Sequence, residues 1–157
     1  MPLTPDQRHR VDGLQPDLEM FLNGWWNRVE QFRALLTAAD GPVTVRLGSD
    51  RDGVYIRARH DDGGWLVEAA SNNHLPTHAQ LSVDAEVHLI ELGWEPPTGP
   101  MPNFFRFYDD PVDLLGVAAD IMIAFAAAYN GTFDGPFWVS PAHLVQAIRT
   151  GEDGRQD

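Results

Sequence analysis

Three short runs with the period of a strand, separated by two turns, constrain this fold more than any other feature of the chain. Val43-Thr-Val-Arg-Leu47 alternates apolar and polar residues, as a half-buried strand does. Ser49-Asp-Arg-Asp-Gly53 leads to Val54-Tyr-Ile-Arg-Ala-Arg59, and Asp61-Asp-Gly-Gly64 leads to Trp65-Leu-Val-Glu-Ala69. The Asp and Gly residues between the runs tolerate the left-handed backbone of tight turns. Connections this short join antiparallel neighbours, because a parallel pair needs a crossover of about a dozen residues or more. The spacing therefore predicts a three-strand meander.

Helical patterns surround it. Thr4-Pro5 suits the start of a short helix ending near Gly13, and Pro16 opens a longer one. Leu18, Phe21, Trp25, Val29, Phe32 and Leu36 follow at steps of three and four, one apolar stripe that stops at Asp40-Gly41-Pro42. A second helix is predicted over Leu81–Leu92, with Ser82 or Asp84 near its start. Its face combines Leu81, Ala85, Leu89 and Leu92, with Val83, Val87 and Ile90 alongside, and Gly93 ends it. Asn103–Tyr108 reads as a fourth strand. Asp110-Pro111-Val-Asp113 reads as the start of a third helix running to about Tyr129 and ending at Asn130-Gly131. Its apolar circumference implies burial on more than one side. Phe137–Val139 suits a short edge strand, and Ala142–Thr150 a last short helix. The predicted order is α–βββ–α–β–α, an α+β fold with an antiparallel sheet and flanking helices.

At 157 residues and 43% hydrophobic, the chain fits a single domain over 1–157, with its core at about 14–150 and residues 1–13 and 151–157 peripheral. No cysteine is present, so disulfides, thiolate catalysis and Cys-ligated metal are excluded. The net charge of −12 repels phosphate and anionic lipid, which argues against nucleic acid and membrane surfaces and favours a basic partner. The stretch Leu114–Tyr129 is interrupted by Asp120 and is too short to span a bilayer. The N-terminus lacks the apolar region of a signal peptide, so the expected location is cytoplasmic.

Ser71-Asn72, Leu75-Pro76 and Leu81-Ser82, then Leu92-Gly-Trp-Glu-Pro-Pro97, then Pro102-Asn-Phe104 and Arg106 form a string with a resemblance. Over roughly residues 14–140 the chain resembles the TY-Chap family of actinobacterial type, proteins similar to type III secretion chaperones and to YbjN. The resemblance implies a chaperone-like scaffold, often a homodimer and without cofactor, that holds an extended segment of another protein along its sheet and helices.

The candidate residues follow. Trp94, Pro96, Pro97, Asn103 and Arg106, together with the exposed sheet face, are the expected partner-binding surface. Gly93 and Trp94 also have a purely structural explanation, as a helix terminus folding back on the core. Trp25 and Trp26 give the first helix more apolar breadth than one contact needs, which suits an interface with a client or a second copy. His60, Asp61, Asp62 and His74 are the alternative, a metal-dependent or acid–base hydrolase, if folding brings them together. Their spacing matches no known ligand set, and His78 and His88 add none. No Ser stands in a nucleophile elbow and no glycine pattern cradles phosphate, so no residue is assigned a catalytic or metal role. Asp120, in the most apolar helix, is expected to face solvent or a dimer rim, with Arg106 a conceivable partner. A third reading is a self-associating structural or regulatory subunit.

Overall fold

The computed structural model describes residues 18–47, 54–129 and 137–148, with side chains from Trp26 onward. The predicted helix before Gly13, the Pro16 start, the Ser49–Gly53 turn, the Asn130-Gly131 stop and the tail fall outside these residues, as does the Trp25 side chain.

In chain order the elements are α1 (Leu18–Ala38), β1 (Val43–Leu47), β2 (Val54–Asp61), β3 (Gly64–Ala69), α2 (Val83–Glu91), β4 (Phe104–Asp109), α3 (Leu114–Ala128) and β5 (Phe137–Ser140). Single 3-10 turns occupy Thr77–Ala79 and Ala142–Leu144. The five strands form one antiparallel sheet in the order β4-β3-β2-β1-β5. The meander stands as the sequence predicts, and Phe137–Ser140 is the edge strand beside β1.

Strand alternation separates two faces. Val43 and Val45, Ile56 and Ala58, Val67 and Ala69, and Phe104 are all buried on one of them. They are opposite one another in register, so the face is continuous across four strands. Helices α1 and α3 pack on it and on each other. From α1 come Val29, Phe32 and Leu36, the described part of the predicted stripe, with Leu35 beside them. Phe32 meets Phe125 of α3 at 6.1 Å and Phe137 of β5 edge-on at 5.4 Å. Each fully buried side chain of this size contributes about 1.5–3 kcal/mol. In α3, Leu115, Val117, Ala118, Ile121, Met122 and Phe125 are all buried, which accounts for its apolar circumference.

Two helix starts differ from the sequence reading. Asp113, not Asp110, caps α3: its carboxylate accepts from the Leu115 N–H at 3.0 Å. Asp110 is engaged elsewhere, 2.7 Å from the His60 ring nitrogen Nε2. Ser82 caps α2 by accepting from the Ala85 N–H, so Leu81 lies before the helix, where it is buried. Gly64 is fixed by close packing, since a Cβ there would overlap the Tyr108 carbonyl.

Candidate functional site

The residues singled out by the sequence go to two places. Most go into the fold. At the end of α2 the Trp94 N–H donates to the Leu89 carbonyl and the Gly93 N–H to Ile90, the paired bonds of a Schellman terminus. Gly93 has φ +102°, and a Cβ on it would press the Arg106 guanidinium at 3.3 Å. Trp94 is then carried into the core, 2% exposed, beside the fully buried Leu89. Arg106, on the helix-covered face of β4, donates to the Leu92 carbonyl at 3.0 Å and reaches Asp120 at 3.4 Å. Asp120 also accepts from the Tyr108 hydroxyl at 2.9 Å. The expectation that Asp120 faces solvent is corrected: it is buried, because Arg106 and Tyr108 supply the partners a buried carboxylate needs. One strand thereby ties α2 to α3.

Asn103 is also internal, at 4% exposure. Its Oδ1 accepts from the Ser71 N–H at 3.1 Å, and its Nδ2 donates to the Tyr55 hydroxyl at 3.1 Å. His74 Nδ1 lies 3.0 Å from the same Oδ1, a bond that requires the proton on Nδ1. The Ser71 hydroxyl donates to the Pro102 carbonyl at 2.6 Å, and Asn72 pairs with both backbone groups of Leu81. Tyr129 completes the junction by donating to the Ala70 carbonyl at 2.6 Å. Burial, with a smaller contribution from Tyr55, holds the Tyr129 phenol far above its ordinary range. These bonds pin the loop after β3 to the start of β4 and to the approach to α2.

Trp26 is half-buried against the core, so its side chain has a packing role. The hydrolase residues separate. His60, Asp61 and Asp62 line an open hollow beside Gly63 at the β2–β3 turn. His74 sits with Asn103, whereas the row of His60 crosses β4 at Tyr108. Five strand positions divide them, about 16 Å. Among the described residues no three acids and histidines gather in metal-binding geometry.

The other face of the sheet is different. The alternate residues of each strand point away from α1 and α3, and Leu66, Phe105, Phe107 and Trp138 stay outside the packed core. Register places Arg46 beside Trp138 and Tyr55. The next row runs Thr44, Arg57, Glu68, Phe105, and the one after it Arg59, Leu66, Phe107. Phe107 is 50% exposed and Trp138 37%. Arg46 stacks on the Tyr55 ring, Arg59 makes an exposed pair with Asp61, and Arg57 has no ion pair among the described residues. At the outer edge of β4, Glu95 bonds Phe105 through both backbone groups, which sets exposed Pro96 and half-buried Pro97 at the rim. This face is a platform of apolar and cationic side chains, with Glu68 between Arg57 and Phe105, on a five-stranded sheet. Its signal in the sequence is the plain alternation of Thr44-x-Arg46, Tyr55-x-Arg57-x-Arg59 and Leu66-x-Glu68.

Such a scaffold, with its interior polar groups satisfied and one sheet face open, has a family match. Residues 23–136 match the model of TY-Chap3, T3SS (YopN, CesT) and YbjN peptide-binding chaperone 3. The chain belongs to this family. The TY-Chap3 match runs from within α1 to the residue before β5, so the meander, β4 and the open rows they carry all lie inside it. No curated protein and no solved structure matches the chain. The string that carries the TY-Chap resemblance is therefore mostly structural here: Ser71, Leu75, Leu81, Trp94, Asn103 and Phe104 are all buried.

Proposed function

We propose that the chain holds an extended segment of another polypeptide on the open face of its sheet and performs no covalent chemistry. The observation that carries this reading is the platform itself, with Phe105, Phe107 and Leu66 beside Arg57 and Arg59 on the face turned away from the packed core. Membership of a peptide-binding chaperone family supports it. Pro96 and Pro97 serve as the rim, while Trp94, Asn103 and Arg106 hold the platform in shape from behind and at its end. Against the hydrolase reading, His74 stands at the other end of the sheet from His60, Asp61 and Asp62.

Panning a displayed random-peptide library against the intact chain tests the proposal. Peptides enriched on the wild type are expected to lose binding to a Leu66→Ser/Phe107→Ser double variant whose circular dichroism is unchanged. Equal binding to both proteins, or no enrichment, sinks the sheet face as the site.

A further inference from the structure

We propose a second docking surface, the outer stripe of α2, whose occupant is a basic amphipathic segment of another protein. The sequence sets Val83, Val87 and Ile90 alongside the apolar face of this helix, and the fold leaves them 74%, 44% and 50% exposed. They recur at i, i+4 and i+7, so they form one continuous ridge along the helix. Three large apolar side chains in line on one short helix are a patch, not scattered surface residues.

The helix that carries them is firmly held. Ser82 caps one end, the Gly93–Trp94 terminus closes the other, and Leu89 on the opposite side is fully buried. Arg106 holds the carbonyl of its C-cap residue, Leu92. The ridge is thus presented on a rigid element whose own core contacts are satisfied elsewhere.

Charge selects the occupant. By helical position, Glu86 borders the ridge on one side and Glu91 and Asp84 on the other. The helix contains no Lys or Arg, and none of these three acids has an ion pair among the described residues. Asp84 also lines a groove of about 490 Å³ between α2 and the end of α3, together with Ser82, His78 and His88. A partner with an apolar centre and Lys or Arg on both flanks meets every feature of this surface. A second copy of the chain does not: two-fold pairing across α2 sets its acids against their own images, on a molecule already at −12.

The test uses the intact chain and a fluorescent helical peptide of about 18 residues, five turns, with one leucine face and lysines elsewhere. A glutamate version serves as control. Anisotropy is expected to show saturable binding of the lysine peptide, weakened by salt. A Val87→Ser/Ile90→Ser variant should weaken it by about ten-fold or more. Glu86→Lys/Glu91→Lys should lose the lysine peptide and gain the glutamate one. Leu66→Ser/Phe107→Ser should bind it as the wild type does, which separates this surface from the sheet face. The proposal is overturned if the Val87/Ile90 variant binds unchanged, or if the sheet variant loses the peptide instead. It is also overturned if sedimentation shows a dimer that Val87→Ser/Ile90→Ser dissolves. Circular dichroism of each variant confirms that these exposed substitutions leave the fold intact.

Discussion

Arg106 and Arg57 sit in adjoining rows of one sheet and face opposite ways. Arg106 holds a helix-terminal carbonyl, a buried carboxylate and, at 5.1 Å, the ring of Tyr108. Arg57 is exposed and has no ion pair among the described residues. The first is a joint between three elements; the second is available to something outside the chain. The same contrast separates the two faces of β4, where Phe104, Arg106 and Tyr108 serve the fold while Phe105 and Phe107 line the platform. Distinctive residues in this chain are distinctive because assembly needs them, and its binding surfaces are built from ordinary alternation.

The largest effect that would test this contrast belongs to Trp94. If it is core, Trp94→Ala opens a cavity and costs about 3–5 kcal/mol, read as a lower urea midpoint. That is a large share of the roughly 5–15 kcal/mol that domains possess. A variant that keeps its midpoint but loses peptide would move Trp94 back to the binding surface and erase the distinction.

The Arg106–Asp120 joint comes next. Asp120→Leu leaves Arg106 without its carboxylate and Tyr108 without its acceptor, at a cost of about 2–4 kcal/mol. Adding Arg106→Met should recover part of that loss, so the two substitutions are non-additive by about 1 kcal/mol or more. Strict additivity would show that the joint is incidental. Arg57 lacks such a partner and should show no coupling to any position in the core.

The phenol of Tyr129 supplies a pH-dependent version of the same test. Its ionisation is suppressed in the folded chain, so the folded state retains a proton that the unfolded state releases above about pH 10. The stability it contributes is complete below that pH and falls as pH rises further, by at most about 1.4 kcal/mol per unit. Tyr129→Phe is expected to flatten the alkaline limb of a urea-midpoint profile, while losing the bond to the Ala70 carbonyl at neutral pH. An unchanged limb would place the phenol in solvent.

What was legible in the sequence follows the same division. The meander, the element order and the stripe of α1 were readable because local period and turn residues determine them. Gly93 as a helix terminus and Arg106 as the partner of Asp120 were readable from chemistry. The start of α3 was misread at Asp110, because the carboxylate that leaves the cap goes to His60, fifty residues away. The exposure of Val83, Val87 and Ile90 was not legible, because α2 shows apolar residues around much of its circumference and period alone does not say which arc meets α3. Asn103 read as a groove residue because nothing local reveals that Ser71, His74 and Tyr55 satisfy it. In β4 five consecutive large side chains hide which set faces out, and only the register against β3 resolves it.

The smallest expected effect on stability is the most informative about function. Arg57→Glu alters an exposed strand position with no bond to break, so the urea midpoint should move by no more than about 0.5 kcal/mol. Its cross-strand neighbour Glu68 then faces a like charge, which sets the sign as slightly destabilising. Peptides enriched on the sheet face are nevertheless expected to respond strongly, with acidic ones lost and basic ones tolerated, because Arg57 is the cation at the centre of the platform. The lysine peptide on α2 should be indifferent to the change. Net charge alone predicts the opposite, that exchanging a cation for an acid on a −12 molecule strengthens every basic ligand alike. A uniform gain across both surfaces would mean that the whole-molecule field governs binding, and a loss confined to the sheet that local groups do.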